Sequence, residues 1–218
     1  MLLDAESGTG DEVLRVWRWP RQAVVLGAGG VLSDDVDEAQ CLADAILIAR
    51  RASGGGTVLL GPGCLLFSLV LDVNAAPELS HIGSSYRYIL ERIARSLVDV
   101  QPGIEFAGTS DLSVGGRKFS GNAQQRKRRF ILHHGSLLHA FDLTMVERYL
   151  KLPPRRPEYR GTRPHAEFLM NLPDQPDELV ARLRHAWQAD TDTAKWPEER
   201  VRELVAEKYN RADWVRRR

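Results

Sequence analysis

The pair Gly115-Gly116, set between Asp-Leu-Ser-Val (111–114) and Arg-Lys-Phe-Ser (117–120), constrains this 218-residue chain more than any other stretch. Two glycines between strand-like runs specify a two-residue hairpin, because both turn positions require positive φ. The pairing that results is antiparallel. The block 104–138 goes on in the same manner, with a basic run Arg126-Lys127-Arg128-Arg129 at the next tip and Phe130–Leu132 returning into His133-His134-Gly135. Lys118 stands out within it. A strand seldom carries a lysine beside a Ser-Gly pair, and glycine in a strand marks close approach by a ligand or another chain. Period-two alternation puts Lys118, Ser120 and Asn122 on one face and Phe119 on the other. A cation so placed suits an activated carboxylate.

The glycine-rich run Arg50-Arg51-Ala52-Ser53-Gly54-Gly55-Gly56 is the second feature. Three glycines can turn several N–H groups towards one anion, and two arginines add donors suited to phosphate or carboxylate. A solvated surface loop is the other reading. No Gly-Lys-Ser/Thr follows, so the run is not a P-loop, and Gly27-Ala28-Gly29-Gly30 lacks the third small residue of a dinucleotide fingerprint. That run reads as a turn.

Around these features the chain alternates short strands and helices. Residues 13–18 and 22–26 read as strands, 45–49 as a buried strand, and Thr57–Leu60 and Leu65–Leu71 as strands about the Gly61-Pro62-Gly63 turn. Ser33, with Asp34 and Asp35 behind it, reads as the N-cap of a helix to about Ala43, with Val36, Ala39 and Ala43 inward. Ile82, Tyr86, Ile89, Leu90, Ile93 and Leu97 predict an amphipathic helix over about 79–98. Thr144–Leu150 reads as a short helix and 152–176 as a Pro-rich crossing. Pro176 and Pro197 open two C-terminal helices over 176–210, expected to pack on the sheet. The fold class is α/β (α+β): one domain over 1–218.

Net charge of +1 and 27% charged residues give no global field for nucleic acid or a membrane surface. No apolar run approaches the roughly 20 residues of a membrane helix. The acidic start lacks the order of a signal peptide, and two cysteines form no disulfide framework. A cytoplasmic protein is expected. The adjacent histidines point to opposite faces, so they cannot share a metal. The basic tip reads as a solvated turn or as a docking patch for an acidic protein.

Taken in order, ARRASGGGTV, DLSVGGRKFSGNAQ and HHGSLL with Asp142 shortly after resemble the catalytic domain of lipoate–protein ligases. These belong to the biotin/lipoate ligase and octanoyltransferase superfamily, and the resemblance extends to the ending EKYNRADW. It implies a mixed, largely antiparallel sheet backed by helices. It also implies that lipoate and ATP, with Mg2+, form lipoyl-adenylate, whose acyl group passes to a lysine of an apo-lipoyl domain or glycine cleavage H protein. Lys118 matches the family lysine that touches acyl carbonyl and phosphate. Arg51 and Gly56, Thr57, Val58 and Leu59 match nucleotide-binding positions. Gly54 and Gly55 would let the loop close over the acyl-adenylate, Gly121 and Ala123 beside Ser120 would leave room for the chain, and His134 and Gly135 match the next pocket strand. Asp111 matches an acid before the hairpin.

The chain also departs from the family pattern. Its first helix would be shortened. Leu60-Gly61 and Gly63-Cys64 replace the His-Asp and Gly-Asn that usually follow the glycines. No accessory C-terminal domain of the kind in large bacterial ligases is expected within these residues, and the resemblance then allows for a separate accessory subunit. The alternatives are an octanoyltransferase moving octanoate through a cysteine thioester, for which Cys64 is the remaining thiol, and a non-catalytic acyl-binding subunit.

Overall fold

A computed structural model describes residues 1–8, 11–153, 156–192 and 197–217. Its strands are β1 (Val13–Arg18), β2 (Ala23–Leu26), β3 (Leu47–Arg50), β4 (Val58–Leu60), β5 (Cys64–Asp72), β6 (Ile104–Ala107), β7 (Asp111–Val114), β8 (Arg117–Arg126) and β9 (Phe130–Leu138). The helices are α1 (Leu2–Ser7), α2 (Leu32–Asp35), α3 (Glu38–Ala43), α4 (Ile82–Ser96), α5 (Thr144–Tyr149), α6 (His165–Phe168), α7 (Pro176–Ala186), α8 (Glu198–Leu204) and α9 (Ala212–Val215).

The larger sheet has the order β1-β5-β9-β8-β7-β6, and every neighbouring pair in it is antiparallel. The mixed character expected from the sequence lies in a small sheet, β3-β2-β4, where β2 runs parallel to β3 and antiparallel to β4. Helix α4 covers one face of the large sheet with Tyr86, Ile89, Leu90, Ile93 and Leu97, which meet Phe67, Leu69, Leu112, Phe119 and Ile131 in the main core. Leu179 and Leu183 of α7 extend that core. The opposite face carries the small sheet at one end, where Val24, Leu26 and Leu59 join Cys41, Cys64, Leu66, Leu138 and Phe141.

The Gly115-Gly116 hairpin forms as expected, with φ of 54° and 72°. Beyond the turn the register slips. Ser113 faces Lys118 but Leu112 faces Ser120, so Phe119 is an extra residue on β8. Such a bulge re-aims the side chains that follow it. Asp111 then stands opposite Gly121 rather than Ser120. The simple alternation is therefore corrected. Gly121 and Ala123 share the face of Lys118, whereas Ser120 turns towards the core beside Leu112 and is 1% exposed.

Other expectations change for local reasons. The helix read over 33–43 breaks at Val36, which bridges to Leu150; Asp37, not Ser33, caps α3 through the Gln40 N–H. Ala39 and Ala43 are exposed, and Cys41 takes the inward position. The run 45–49 gives an edge strand with Leu47 exposed, and Ile82 is likewise exposed. Of the two C-terminal helices, α7 packs on the core, while α8 buries no residue. Among the described residues no helix is long and apolar enough to cross a membrane.

Because Ile93 is fully buried between α4 and the sheet, Ile93→Ala is expected to lower unfolding free energy by about 2–5 kcal/mol, the usual range for a core truncation. Urea denaturation with an unchanged m-value checks this.

Candidate functional site

The site is built on the face of the large sheet opposite α4. Lys118 Nζ lies 2.7 Å from Asp111 Oδ1. Asp111 is 6% exposed, while the lysine side chain keeps a quarter of its surface. Tyr159 Oη donates to the other oxygen, Asp111 Oδ2, at 2.7 Å. Burial, then the nearby Asp111 carboxylate, pushes the Tyr159 phenol upwards, so it remains a donor. A Cβ on Gly121 would sit 2.9 Å from both Lys118 Cε and Nζ. The lysine therefore lies flat over that glycine, along a strip with no side chain in its way.

Ala123, two residues along the same strip, faces His134 across the strand pair. His134 Nε2 is 2.6 Å from Ser53 Oγ in the glycine-rich loop. The loop reaches the sheet through Gly55, whose φ is +88° and whose Cβ position lies 3.7 Å from Ala123 Cβ. Gly55 also explains Gly27, since a Cβ there would stand 1.9 Å from the Gly55 carbonyl oxygen. The Gly27–Gly30 turn is thus the seat of the loop.

The two arginines hold backbone. Arg50, buried, donates to the carbonyls of Gly27, Gly30 and Val215. Arg51 donates to the carbonyls of Val25, Gly54 and Gly56 and to Ser53 Oγ. Most of its fork is therefore committed to shaping the loop, and burial lowers its pKa to about 10. Gly54 and Gly56 face open space. Thr57 Oγ1 donates to Asp35 Oδ2 at 2.6 Å. Val58 and Leu59 pair with Val25 and Val24 on the edge strand β4, so its outward main-chain groups have no sheet partner.

Beyond His134 the strip opens into a cavity of about 330 Å³ lined by Val25, Ser53, Gln125, Leu132, His134 and Tyr209. Gly121 to Gln125 spans four residues, about 13 Å of strand. The cavity lining is mostly apolar, and Tyr209 contributes to it. A larger groove of about 440 Å³ lies between α4 and β6, lined by Arg87, Glu91 and Phe106 among others, on the side of the sheet away from Lys118.

Of the residues selected from sequence, Lys118, Asp111, Gly121, Ala123, His134, Gly55 and Arg51 come together here. Ser120 and Gly135 do not. Gly135 pairs with Asn122 on the core side, and a Cβ on it would meet Asn122 Oδ1 at 1.9 Å. It makes room for a side chain, not for a ligand. Sequence reading missed Tyr159, which lies in an irregular Pro-rich crossing with no periodic signal. Tyr209, within the C-terminal helices read over 176–210, is carried to the cavity by a π-helical turn (205–209).

The thiols are buried among apolar side chains. Cys64 is 1% exposed among Leu66, Leu138 and Phe141, and burial pushes it up to about 12, with a smaller lowering by the Gly61 backbone. Cys41, also buried, is pushed up to about 11 by burial and nearby acids. The tip of the β8–β9 hairpin also divides. Arg126 donates to the carbonyls of Leu79 and Ser80, and Arg129 pairs with Asp72, leaving Lys127 and Arg128 exposed.

A model of the lipoyl protein ligase A/B catalytic domain matches residues 1–183. The chain is 28% identical over 224 residues to lipoate-protein ligase A subunit 1 of Thermoplasma acidophilum, covering 93% of this chain and 83% of that one. It spans only 47% and 45% of the lipoate–protein ligases it matches in Mycoplasma pneumoniae and Staphylococcus aureus. It is 24% identical to the octanoyltransferase LipM of Carboxydothermus hydrogenoformans, covering 99% of this chain and 90% of that one. Among solved structures, a bipartite archaeal lipoate protein ligase, described with its E2 lipoyl domain from T. acidophilum, superposes with TM-score 0.80 at 26% identity, covering 95% of this chain and 85% of that one. A lipoate-protein ligase A bound with ATP gives TM-score 0.80 at 26% identity, covering 98% and 90%.

The histidine pair sets a pH dependence. Burial, then the charge of Arg51, lowers His134 from 6.5 to about 4, and burial, then His134, lowers His133 to about 3. The unfolded chain binds these protons near pH 6.5, so stability is complete above that value and falls as pH drops towards about 4. Unfolding free energy measured across this window should decline with acid, and His134→Asn should reduce the slope by about one proton.

Proposed function

The chain belongs to the lipoyl protein ligase A/B catalytic domain family, and on that premise we propose that it is an ATP-dependent lipoate–protein ligase. The observation that carries the reading is the Lys118 ammonium lying over the bare Gly121 strip, which leads past the glycine-rich loop to an acyl-sized cavity. Carboxylate attack on the α-phosphorus of ATP brings two anions together, and pyrophosphate leaves. A fixed cation between them stabilises the charge that develops. Lys118 supplies it. The same ammonium then polarises the acyl carbonyl of lipoyl-adenylate when the acceptor lysine attacks and AMP departs.

The acyl chain runs from Lys118 past Gly121, Ala123 and His134 into the cavity that Tyr209 helps to line. Octanoate would follow the same track. The nucleotide lies against Gly56, Thr57, Val58 and Leu59, beside the open edge of β4, with Gly54 and Gly55 above the acyl-adenylate. Magnesium comes in with ATP as substrate, held chiefly by its phosphates. Within the described residues no cluster of three or more His, Cys, Asp or Glu side chains is placed to hold a metal.

Residues 1–217 act as a single catalytic unit in this reading. The acceptor is an apo-lipoyl domain or a glycine cleavage H protein, and the bipartite Thermoplasma ligase motivates a separate accessory subunit. A reducing cytoplasm suits two buried, unpaired thiols.

The deciding assay mixes the protein with lipoate, MgATP and an apo-lipoyl domain, with and without candidate accessory subunits, and follows pyrophosphate release and acceptor modification. Both are expected, and Lys118→Ala should reduce pyrophosphate release by about 10²–10³-fold with the fold intact. ATP-independent transfer from an octanoyl carrier, lost in Cys64→Ser, would replace the ligase by an octanoyltransferase. Binding without turnover in either assay would leave an acyl-binding subunit.

The exposed tip offers a separate check on docking. Reversing Lys127 and Arg128 to Glu is expected to slow modification of an acidic acceptor several-fold at low salt, through slower association, while leaving pyrophosphate release unchanged. Equal effects on both steps would remove the tip from the docking surface.

A further inference from the structure

The segment from Tyr159 to Met170 lies outside the motifs that carry the family resemblance, yet it braces the lysine hairpin at three points. Arg163 donates to the Gly116 carbonyl at the hairpin turn, at 3.0 Å. Leu169 bridges to Lys118, and the Met170 N–H donates to the Lys118 carbonyl at 2.9 Å. Tyr159 reaches the Asp111 carboxylate at 2.7 Å.

The tyrosine is itself tightly placed. Gly108 adopts φ +56°, and a Cβ on it would meet the Tyr159 ring at 3.2 Å. Phe168 lies against the ring with a centroid separation of 5.3 Å, and Arg163 donates to the Tyr159 carbonyl. A phenol held so firmly, on a carboxylate that is itself 6% exposed, has a definite position relative to Lys118.

We propose that Tyr159 is a positioning residue for Lys118, acting through Asp111. The inference rests on the ligase reading of the site. The ammonium is paired with Asp111 Oδ1. To meet an acyl carboxylate and a phosphate it must loosen that pair, which strands a largely buried anion. Leaving such a charge unpaired is costly. The Tyr159 hydroxyl remains on Oδ2 and offsets part of that cost, so the lysine can turn to the substrate. The positive charge of the buried Arg160 guanidinium acts on the same carboxylate in the same direction.

The test is a double-mutant cycle read in the adenylation step. Tyr159→Phe removes one charge-assisted hydrogen bond and is expected to lower kcat/KM for lipoate, measured as pyrophosphate release, about tenfold. Circular dichroism and thermal melting should show the native fold. In an Asp111→Asn background no anion is stranded, so adding Tyr159→Phe should change kcat/KM by less than about twofold. A readout without turnover comes from 13C-dimethylated lysines. The Lys118 methyl resonance, identified by its loss in Lys118→Arg, should shift in both Tyr159→Phe and Asp111→Asn with no substrate present. A tenfold loss that persists in the Asp111→Asn background would mark a merely structural tyrosine and overturn the proposal. So would an unmoved resonance with unchanged kinetics. If the wild-type protein releases no pyrophosphate, the ligase reading fails, and the resonance alone decides whether Tyr159 controls the ion pair.

Discussion

An ammonium held 2.7 Å from a carboxylate that is 6% exposed is the interaction on which the rest of the site depends. A pair so poorly solvated must be assembled with both partners in place, because either charge alone would keep the cost of leaving water. The turn at Gly115-Gly116 brings β7 and β8 together, and the bulge at Phe119 decides what lies beside the pair. In a regular hairpin Ser120 would stand opposite Asp111. The extra residue replaces it with Gly121, whose missing side chain is the space the lysine occupies. One inserted residue thus turns a strand surface into a bed for a cation.

The second half of the site obeys a similar rule of bare backbone. Gly27 and Gly55 approach so closely that a Cβ on the first would overlap a carbonyl of the second. The arginines beside them, which suggest anion binding on composition alone, spend their donors on carbonyl oxygens of Gly27, Gly30, Val25, Gly54 and Gly56. Bending a loop back on itself exposes such carbonyls, and guanidinium groups satisfy several at once in a fixed plane. Arg51 therefore contributes the shape of the loop. Arg50 also binds the Val215 carbonyl, while the Trp214 indole donates to the Arg50 carbonyl. In this way the C-terminal segment that carries Tyr209 to the cavity is tied to the loop it covers.

The hairpin, the glycine-rich loop and the amphipathic stripe of α4 were legible in the sequence because each depends on local chemistry or on a short period. Lys118 stood out for the same reason, whereas Asp111, Gly121 and His134 entered through the family resemblance. What escaped was non-local. Period-two counting assigns Ser120 to the lysine face and cannot register a bulge that depends on pairing with Leu112 and Ser113. Gly135 sits at the end of a family-like run, yet its lack of a side chain serves Asn122 on the core face. Tyr159 is 41 residues beyond Lys118, in a Pro-rich crossing, and only the fold of that crossing over Gly108 brings its hydroxyl to Asp111. The break at Val36 is likewise set by a bridge to distant Leu150.

The same physical reasoning separates two chemistries that a lysine of this kind could serve. Acyl transfer through a thioester needs a thiolate near the ammonium, and thiolate is what burial suppresses. Cys64 and Cys41 are pushed up to about 12 and about 11, and both are packed among apolar side chains. Activation by ATP needs no nucleophile from the protein, because the substrate carboxylate attacks and the phosphate is its electrophile. It needs a positioned cation, a surface without side chains for the mixed anhydride, and main-chain groups for the nucleotide. Lys118, the strip along Gly121 and Ala123, and the open edge of β4 meet these three requirements with residues already fixed by the fold. The loss of the His-Asp and Gly-Asn pairs after the glycine loop is consistent with that division. At Leu60-Gly61 and Gly63-Cys64 the chain instead builds core, with Gly63 packed against Ala140 and Cys64 among leucines, so the polar work of activation falls more heavily on Lys118 and the groups that hold it.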